Sequence, residues 1–177
     1  IASISRLTLS SRFYNEDRGY CVRLEEQEHP SKLEPIAHPI GTTVEIRDLF
    51  YNTPARRKFL RTEKTEFNQI HETIKRLALS RFEVCFKLTH NRKILLALKG
   101  ATTEEEKLQR VAMLCGPDVI EQVLTVEEES GDMHLSGWIT QPTHSRSQPD
   151  MQYFFVNGRM VRDKVVNQAL RQAYEDV

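Results

Sequence analysis

The chain holds 177 residues, with 25 Lys and Arg against 25 Asp and Glu, and 39% of it is hydrophobic. That apolar content suits one large or two small globular domains, while the balanced charge excludes any argument for nucleic acid from the chain as a whole and leaves only local clusters to carry one. No apolar run approaches the roughly 20 residues that span a bilayer, and the opening IASISRLTLSSR has neither signal-peptide nor transit-peptide pattern. The expectation is a cytoplasmic protein with no membrane partner. Ile1 in place of Met, and a helix signal that runs on to Val177, read as a piece of something longer.

In chain order, residues 6–10 alternate as a strand and Gly19–Leu24 alternates again. The proline-bearing stretch 25–39 reads as a loop or ragged hairpin, and 41–46 restores strand alternation. A helix is then expected from Thr53 as N-cap, with Pro54 at the first helical position, where its missing N–H costs nothing. The next helix carries Phe67, Ile70, Ile74, Leu77 and Ala78 at helical spacing, which predicts one buried face with Glu72, Lys75 and Arg76 left in water.

From about Phe82 the texture changes to strands, so a domain boundary is expected there, dividing 1–81 from 82–177. Residues 84–88 and 94–98 flank a turn at 89–92, as in a hairpin. Leu108, Val111, Ala112 and Leu114 mark a helix stopped by Gly116-Pro117. Strands are expected at 119–126 and 133–139, and a polar loop at 141–150. The run 151–156, Asn157-Gly158, 159–161 is a strong hairpin signal, and 163–174 reads as a helix. Cys21, Cys85 and Cys115 are odd in number and lack ligand spacing, so they read as reduced, mostly buried thiols with no metal. The His residues show no pairing that suggests catalysis.

Three segments carry chemistry. Gly41-Thr42-Thr43 enters a strand, where glycine lets the backbone approach a ring or phosphate and threonine hydroxyls can bond a base; by itself it reads as readily as a plain turn. Arg56, Arg57 and Lys58 fall in the first turn or so of the expected helix, where the positive end of the dipole disfavours cations by about 0.3–1 kcal/mol each. An anionic ligand, nearby carboxylates or simple solvation are the alternatives. Finally, Asn157-Gly158 favours a primed turn that would hold Arg159 on rigid backbone beside Arg162, Lys164 and Arg171, either as phosphate-contacting cations or as an exposed charged hairpin.

Taken together, GTTVEIRDLFYNTPARRKFL resembles the signature of the MutL family, which joins a Gly-Thr-Thr nucleotide motif to an Asn-Thr-Pro-Ala-Arg helix start. ASISRLTLSSR resembles the strand after that family's nucleotide lid, and FFVNGRMVRDKVVNQALRQAYED its DNA-contacting strand and helix. The resemblance implies an α/β (α+β) fold: the end of a GHKL-type ATPase sandwich over 1–81, then a transducer domain over 82–177 with a mixed sheet and a left-handed βαβ crossover, an exception to the usual right-handed rule. It implies nucleotide binding by Gly41, Thr42 and Thr43, and DNA contact by Arg159, to which Arg162, Lys164 and Arg57 are added here as candidates.

It implies further that the parent is an ATP- and Mg²⁺-dependent mediator of DNA mismatch repair. The parent would bind DNA independently of sequence as a clamp-like homodimer, with the mismatch-recognition protein MutS and a downstream endonuclease or helicase as partners. The family's catalytic Glu, Mg-binding Asn and lid belong upstream of Ile1, and the lysine that reaches the γ-phosphate downstream of Val177. No catalytic residue is therefore assigned in this chain, and by itself it is expected neither to hydrolyse ATP nor to hold a cofactor. The rival readings are an RNA-binding or ribosome-associated module, and a small-molecule kinase of the same crossover topology.

Overall fold

The computed structural model describes residues 1–24, 32–117, 120, 123–140 and 152–175. Of the expected features, the start of the 25–39 stretch, the beginning of the strand at 119 and the polar loop 141–150 lie outside these residues. The chain divides into two compact units, Ile1–Glu66 and Phe67–Val177.

In the first unit a short 3-10 turn, Ala2–Ile4, leads into β1 (Arg6–Arg12), followed by β2 (Gly19–Leu24), β3 (Glu34–Ile36) and β4 (Gly41–Arg47). They form one antiparallel sheet in the order β3-β2-β1-β4. Register sorts the side chains. Leu7 faces Leu24 and Ile46, and Leu9 faces Val22 and Val44, so the period-2 alternation puts these aliphatic residues on one face. Thr8, Ser10, Cys21, Arg23, Thr43 and Glu45 share the other. Beyond β4 the chain makes the single turn α1 (Pro54–Arg57).

The long helix α2 (Glu63–Ser80) starts with the Thr62 hydroxyl accepting the Thr65 N–H at 3.3 Å, as an N-cap does. The division between units falls inside this helix, which keeps most of its length with the strands that follow: Phe67 stacks on His90 with ring centroids 4.3 Å apart. Its buried residues are Ala78 and Leu79, whereas Ile70 and Leu77 stay 51% and 47% exposed. Glu72, Lys75 and Arg76, expected in water, are instead half-buried. Arg76 pairs with Glu72 at 2.9 Å, the Tyr153 hydroxyl donates to Glu72 at 3.3 Å, and the Lys75 ammonium lies 5.0 Å from the Tyr153 ring centre. The periodicity gave the helix correctly and its buried face in part, with Ala78 buried and Phe67 and Ile74 half-buried, while Glu72, Lys75 and Arg76 leave the water because long charged side chains lay their stems along a surface when a polar partner waits at the tip.

Three two-stranded pairs complete the second unit: β5 (Phe86–His90) with β6 (Lys93–Leu98), β7 (Val123–Ser130) with β8 (Met133–Thr140), and β9 (Phe154–Val156) with β10 (Arg159–Val161). Each closes on two residues, and the turn chemistry explains why. Asn91 and Arg92 have φ of 48° and 66°, and Asn157 and Gly158 have 50° and 73°, the positive pair of a type I′ turn; at 131–132 only Gly131 is positive, at 59°. A βαβ crossover needs two parallel strands in one sheet. Every pairing among the described residues is antiparallel, so the class is α+β with antiparallel sheets, and the expected mixed sheet with its left-handed crossover is not formed by these strands.

Between β6 and β7 lies α3 (Glu104–Cys115), opened by a reciprocal capping box in which the Thr103 hydroxyl accepts the Glu106 N–H and the Glu106 carboxylate accepts the Thr102 and Thr103 N–H groups. Those backbone donors hold the Glu106 carboxyl below its ordinary pKa. The last helix, α4 (Lys164–Glu175), is capped by Asp163, whose Oδ1 accepts the Val165 and Val166 N–H groups at 2.7 and 3.2 Å.

The three cysteines are free thiols, as expected, but only Cys21 is buried; Cys85 is exposed and Cys115 half-buried. Burial raises the Cys115 pKa, against the opposing pull of the Lys75 charge. A raised pKa means less thiolate at neutral pH, and the thiolate is the reactive form. Labelling with Ellman's reagent at neutral pH should therefore modify Cys85 first, Cys115 slowly and Cys21 only on unfolding. Mass spectrometry of early time points checks the order, and a Cys115 as fast as Cys85 would contradict this description of its surroundings.

Candidate functional site

The residues singled out from the sequence fall into two groups, one in each unit. In the first unit, Gly41 opens β4 with φ of 123°, a backbone state that suits glycine, and it is exposed with open space where a Cβ would stand. Thr42 and Thr43 point to opposite faces of the sheet. Thr42 Oγ1 lies 2.9 Å from Ser11 Oγ, and Thr43 Oγ1 lies 2.8 Å from His38 Nε2. Each hydroxyl thus already has one partner and retains further bonding capacity, but the two cannot address one ligand from the same side.

The segment that follows is held in an unusual shape. Asp48 and Phe50 adopt φ of 51° and 62°, the left-handed region, at a cost of roughly 1–2 kcal/mol for a bulky residue such as Phe50. The turn is secured against the start of the chain: the Phe50 N–H donates to the Ile4 carbonyl at 2.7 Å and the Asn52 amide to the Ser3 carbonyl at 2.9 Å, while Arg6 approaches Asp48 at 3.5 Å.

The helix beyond it corrects the sequence expectation. α1 is four residues long, Thr53 makes no side-chain cap bond, and the Phe59 and Leu60 N–H groups bond three residues back, tightening the chain to a stop. Arg56 and Arg57 therefore sit in a single helical turn, too short for its peptides to sum to a sizeable macrodipole, and the conflict with a helix dipole disappears. Arg57 is exposed, as solvation alone would have it.

In the second unit, the I′ turn carries Arg159 as the first residue of β10, exposed and paired through its backbone with Val156. Arg162 and Lys164 follow within a few residues, both exposed, with the Asp163 cap between them. Among the described residues no carboxylate forms an ion pair with Arg159, Arg162 or Lys164. The hairpin thus displays three cations along a short, turn-stiffened stretch, which can engage phosphate oxygens without any base-edge geometry. No group of three His, Cys, Asp or Glu side chains gathers among the described residues in a way that could hold a metal ion.

Two arginines escaped the sequence reading. Arg110, on α3, is 3% exposed. Its guanidinium donates to the carbonyls of Ala78 at 3.2 Å, Arg81 at 3.1 Å and Val84 at 3.0 Å, and also to that of Lys99, and it lies 5.7 Å from the Phe82 ring centre. Burial lowers its pKa, though an arginine keeps its charge in proteins. Arg81, at the end of α2, is exposed and lays its guanidinium on Gly158: a Cβ built there would stand 3.2 Å from Cζ and Nη2 and 3.3 Å from Nη1. Neither contact has a local sequence signal, since both join residues far apart in the chain.

Residues 111–177 match the family model described as DNA mismatch repair protein, C-terminal domain. The whole chain is 54% identical to the DNA mismatch repair protein MutL of Pseudomonas syringae, and 54% identical to that of Pseudomonas aeruginosa, covering 27% and 28% of those proteins. The chain therefore spans little more than a quarter of the curated relatives it matches. Among solved structures, the Aquifex aeolicus MutL ATPase domain complexed with ADP superposes with a TM-score of 0.75 at 30% identity, over 97% of this chain and 65% of that one.

Proposed function

Because the chain belongs to the MutL family of DNA mismatch repair proteins, we propose that it supplies the DNA-contacting surface, and one corner of the nucleotide site, of an ATP-regulated mismatch repair mediator. The observation that carries the DNA half is the Arg159 hairpin: an Asn-Gly I′ turn presenting, from rigid backbone, cations that form no ion pair among the described residues. Phosphate contact by Arg159, with Arg162 and Lys164 adding charge, gives sequence-independent binding. Arg57 lies in the other unit and is the weakest member of the set. The RNA-binding and kinase readings are not favoured by the matches.

The nucleotide half rests on Gly41, Thr42 and Thr43. An open glycine at the strand start and, on either face of the strand, one threonine hydroxyl with spare bonding capacity fit one edge of a nucleotide, so that only one of Thr42 and Thr43 bonds it through its hydroxyl. Bound ATP with Mg²⁺ would supply the phosphoanhydride whose cleavage drives the cycle of the whole protein; within this chain the Gly41–Thr43 segment binds and orients, through its backbone and one of the two threonine hydroxyls. The domain reading follows the same lines, with 1–81 belonging to the ATPase sandwich and 82–177 to a transducer. The whole protein acts as a homodimer on chromosomal DNA in the bacterial cytoplasm, taking its signal from MutS and passing it to an endonuclease or helicase.

Arg159→Glu tests the DNA reading. Affinity for duplex DNA should fall about equally for all sequences, and the plot of log affinity against log salt should flatten by roughly 0.9 for each phosphate that is no longer neutralised. Titrations at several KCl concentrations, with circular dichroism to check folding, give both numbers. A folded variant with unchanged affinity and slope would return the hairpin to an ordinary solvated surface.

A further inference from the structure

The guanidinium of Arg81 has a geometry that packing alone does not require. A point almost equally distant from Cζ, Nη1 and Nη2, at 3.2–3.3 Å from each, cannot lie in the plane of those atoms; it lies over the face. Gly158 therefore supports the flat side of the group, and its φ of 73° together with the absent side chain is what allows so close an approach. All five N–H donors of a guanidinium lie in its plane. Stacked on the glycine, they point sideways, past the turn, rather than into it.

Two further facts make this a presented group. The backbone at Arg81 is anchored, since its carbonyl accepts from the buried Arg110 guanidinium at 3.1 Å. Among the described residues, no side-chain hydrogen bond or ion pair engages the Arg81 guanidinium, although Glu83 lies close in sequence and Asp163 close to the hairpin. An arginine held at both ends, with its donors unused among the described residues, is poised for an anion, and it stands against the residue immediately before Arg159.

We propose that Arg81 and Arg159, brought together by the stacking of Arg81 on Gly158, form a two-arginine clamp on the phosphate backbone of duplex DNA. The inference rests on the DNA reading above and adds a residue from the end of α2, distant in the sequence from the hairpin. Gly158 acts in it as a positioning residue: it sets the plane of the Arg81 guanidinium so that the fork faces outward. Duplex DNA is the partner because the two side chains offer in-plane forks that match phosphate oxygens, the contact on which the DNA reading above rests.

The test compares Arg81→Gln, Arg81→Lys, Arg159→Gln and the Arg81/Arg159 double Gln variant of the full chain by fluorescence anisotropy with a labelled duplex across a KCl series. Glutamine keeps much of the stem that packs on the turn while removing the charge, and melting curves check that each variant folds. Arg81→Gln should weaken binding about tenfold, as loss of a charged hydrogen bond does. It should also flatten the salt slope by about 0.9, and the double variant should flatten it further than either single one. Arg81→Lys should recover the slope but not the full affinity, since an ammonium keeps the charge without the planar fork.

If Arg159→Gln is impaired while Arg81→Gln keeps wild-type affinity and slope, Arg81 only packs on the turn and the clamp is wrong, with the DNA reading intact. If neither single variant changes affinity or slope, the DNA reading fails and the clamp fails with it.

Discussion

Arg110→Ala should destabilise the second unit by about 3–5 kcal/mol, because four backbone carbonyls lose a charged donor at about 1–3 kcal/mol each before relaxation. The cause is the number of acceptors left behind. The carbonyls of Ala78 and Arg81 belong to the end of α2, where backbone acceptors have no helical donor, and those of Val84 and Lys99 belong to the connections that flank the β5–β6 hairpin. One side chain satisfies all four, and each buried acceptor that loses its partner costs about 1–3 kcal/mol before relaxation and water reduce the sum. Arg110→Lys should recover only part of the loss, because a compact ammonium cannot fork toward carbonyls on several sides.

Urea unfolding followed through the single Trp138, which meets Phe82 edge-on at 5.8 Å beside this network, reads the change directly. A loss below about 1 kcal/mol would mean that the carbonyls find other donors and that Arg110 is not the fastener described here.

Gly100→Ala should cost about 1–3 kcal/mol at the same junction, by overpacking rather than by loss of a bond. A Cβ at Gly100 would stand 2.8 Å from the Glu83 carbonyl oxygen, which is backbone and cannot swing away. Nor can the two strands of chain simply part. The Ala101 N–H donates to the Phe82 carbonyl at 2.8 Å, the Gly100 N–H to Cys85 Sγ at 3.2 Å, and Arg110 ties Val84 to Lys99. Because both substitutions strain one junction, their effects should not add. The double variant should lose less than the sum by about 0.5–3 kcal/mol. Simple additivity in a double-mutant cycle would show that the glycine and the arginine act on separate parts of the fold.

The two substitutions also bear on function. Arg81 reaches the hairpin from backbone that Arg110 holds, so loosening this junction should disorder one arm of the proposed clamp while leaving Arg159 on its own turn. Weaker DNA binding in Arg110→Lys, measured where the protein is still folded, is the corresponding expectation.

What the sequence determined by itself was local in character. Asn157-Gly158 specifies a I′ turn because few residues other than Gly and Asn accept positive φ without strain, and so the two residues before Arg159 are enough to place it on a rigid hairpin. The alternation in 6–10, 19–24 and 41–46 set the strands for the same kind of reason, and the motif containing Gly41–Thr43 pointed to the family. Periodicity was less reliable for α2, where the register of the buried face turned on partners elsewhere: Tyr153 draws Glu72 and Lys75 out of water, which no pattern within the helix records.

The length of α1 followed likewise from hydrogen bonds that close three residues back, an outcome Thr53-Pro54 could start but not extend. Only the tertiary structure decided the roles of Arg81 and Arg110. Each is an ordinary charged residue by composition and spacing, and each draws its meaning from backbone that approaches from another part of the chain: a glycine in a turn for one, four carbonyls at the ends of neighbouring elements for the other. A hydrogen bond or a stacked plane acts over a few ångströms in space, whatever the separation along the chain, and single-sequence patterns carry no term for that distance.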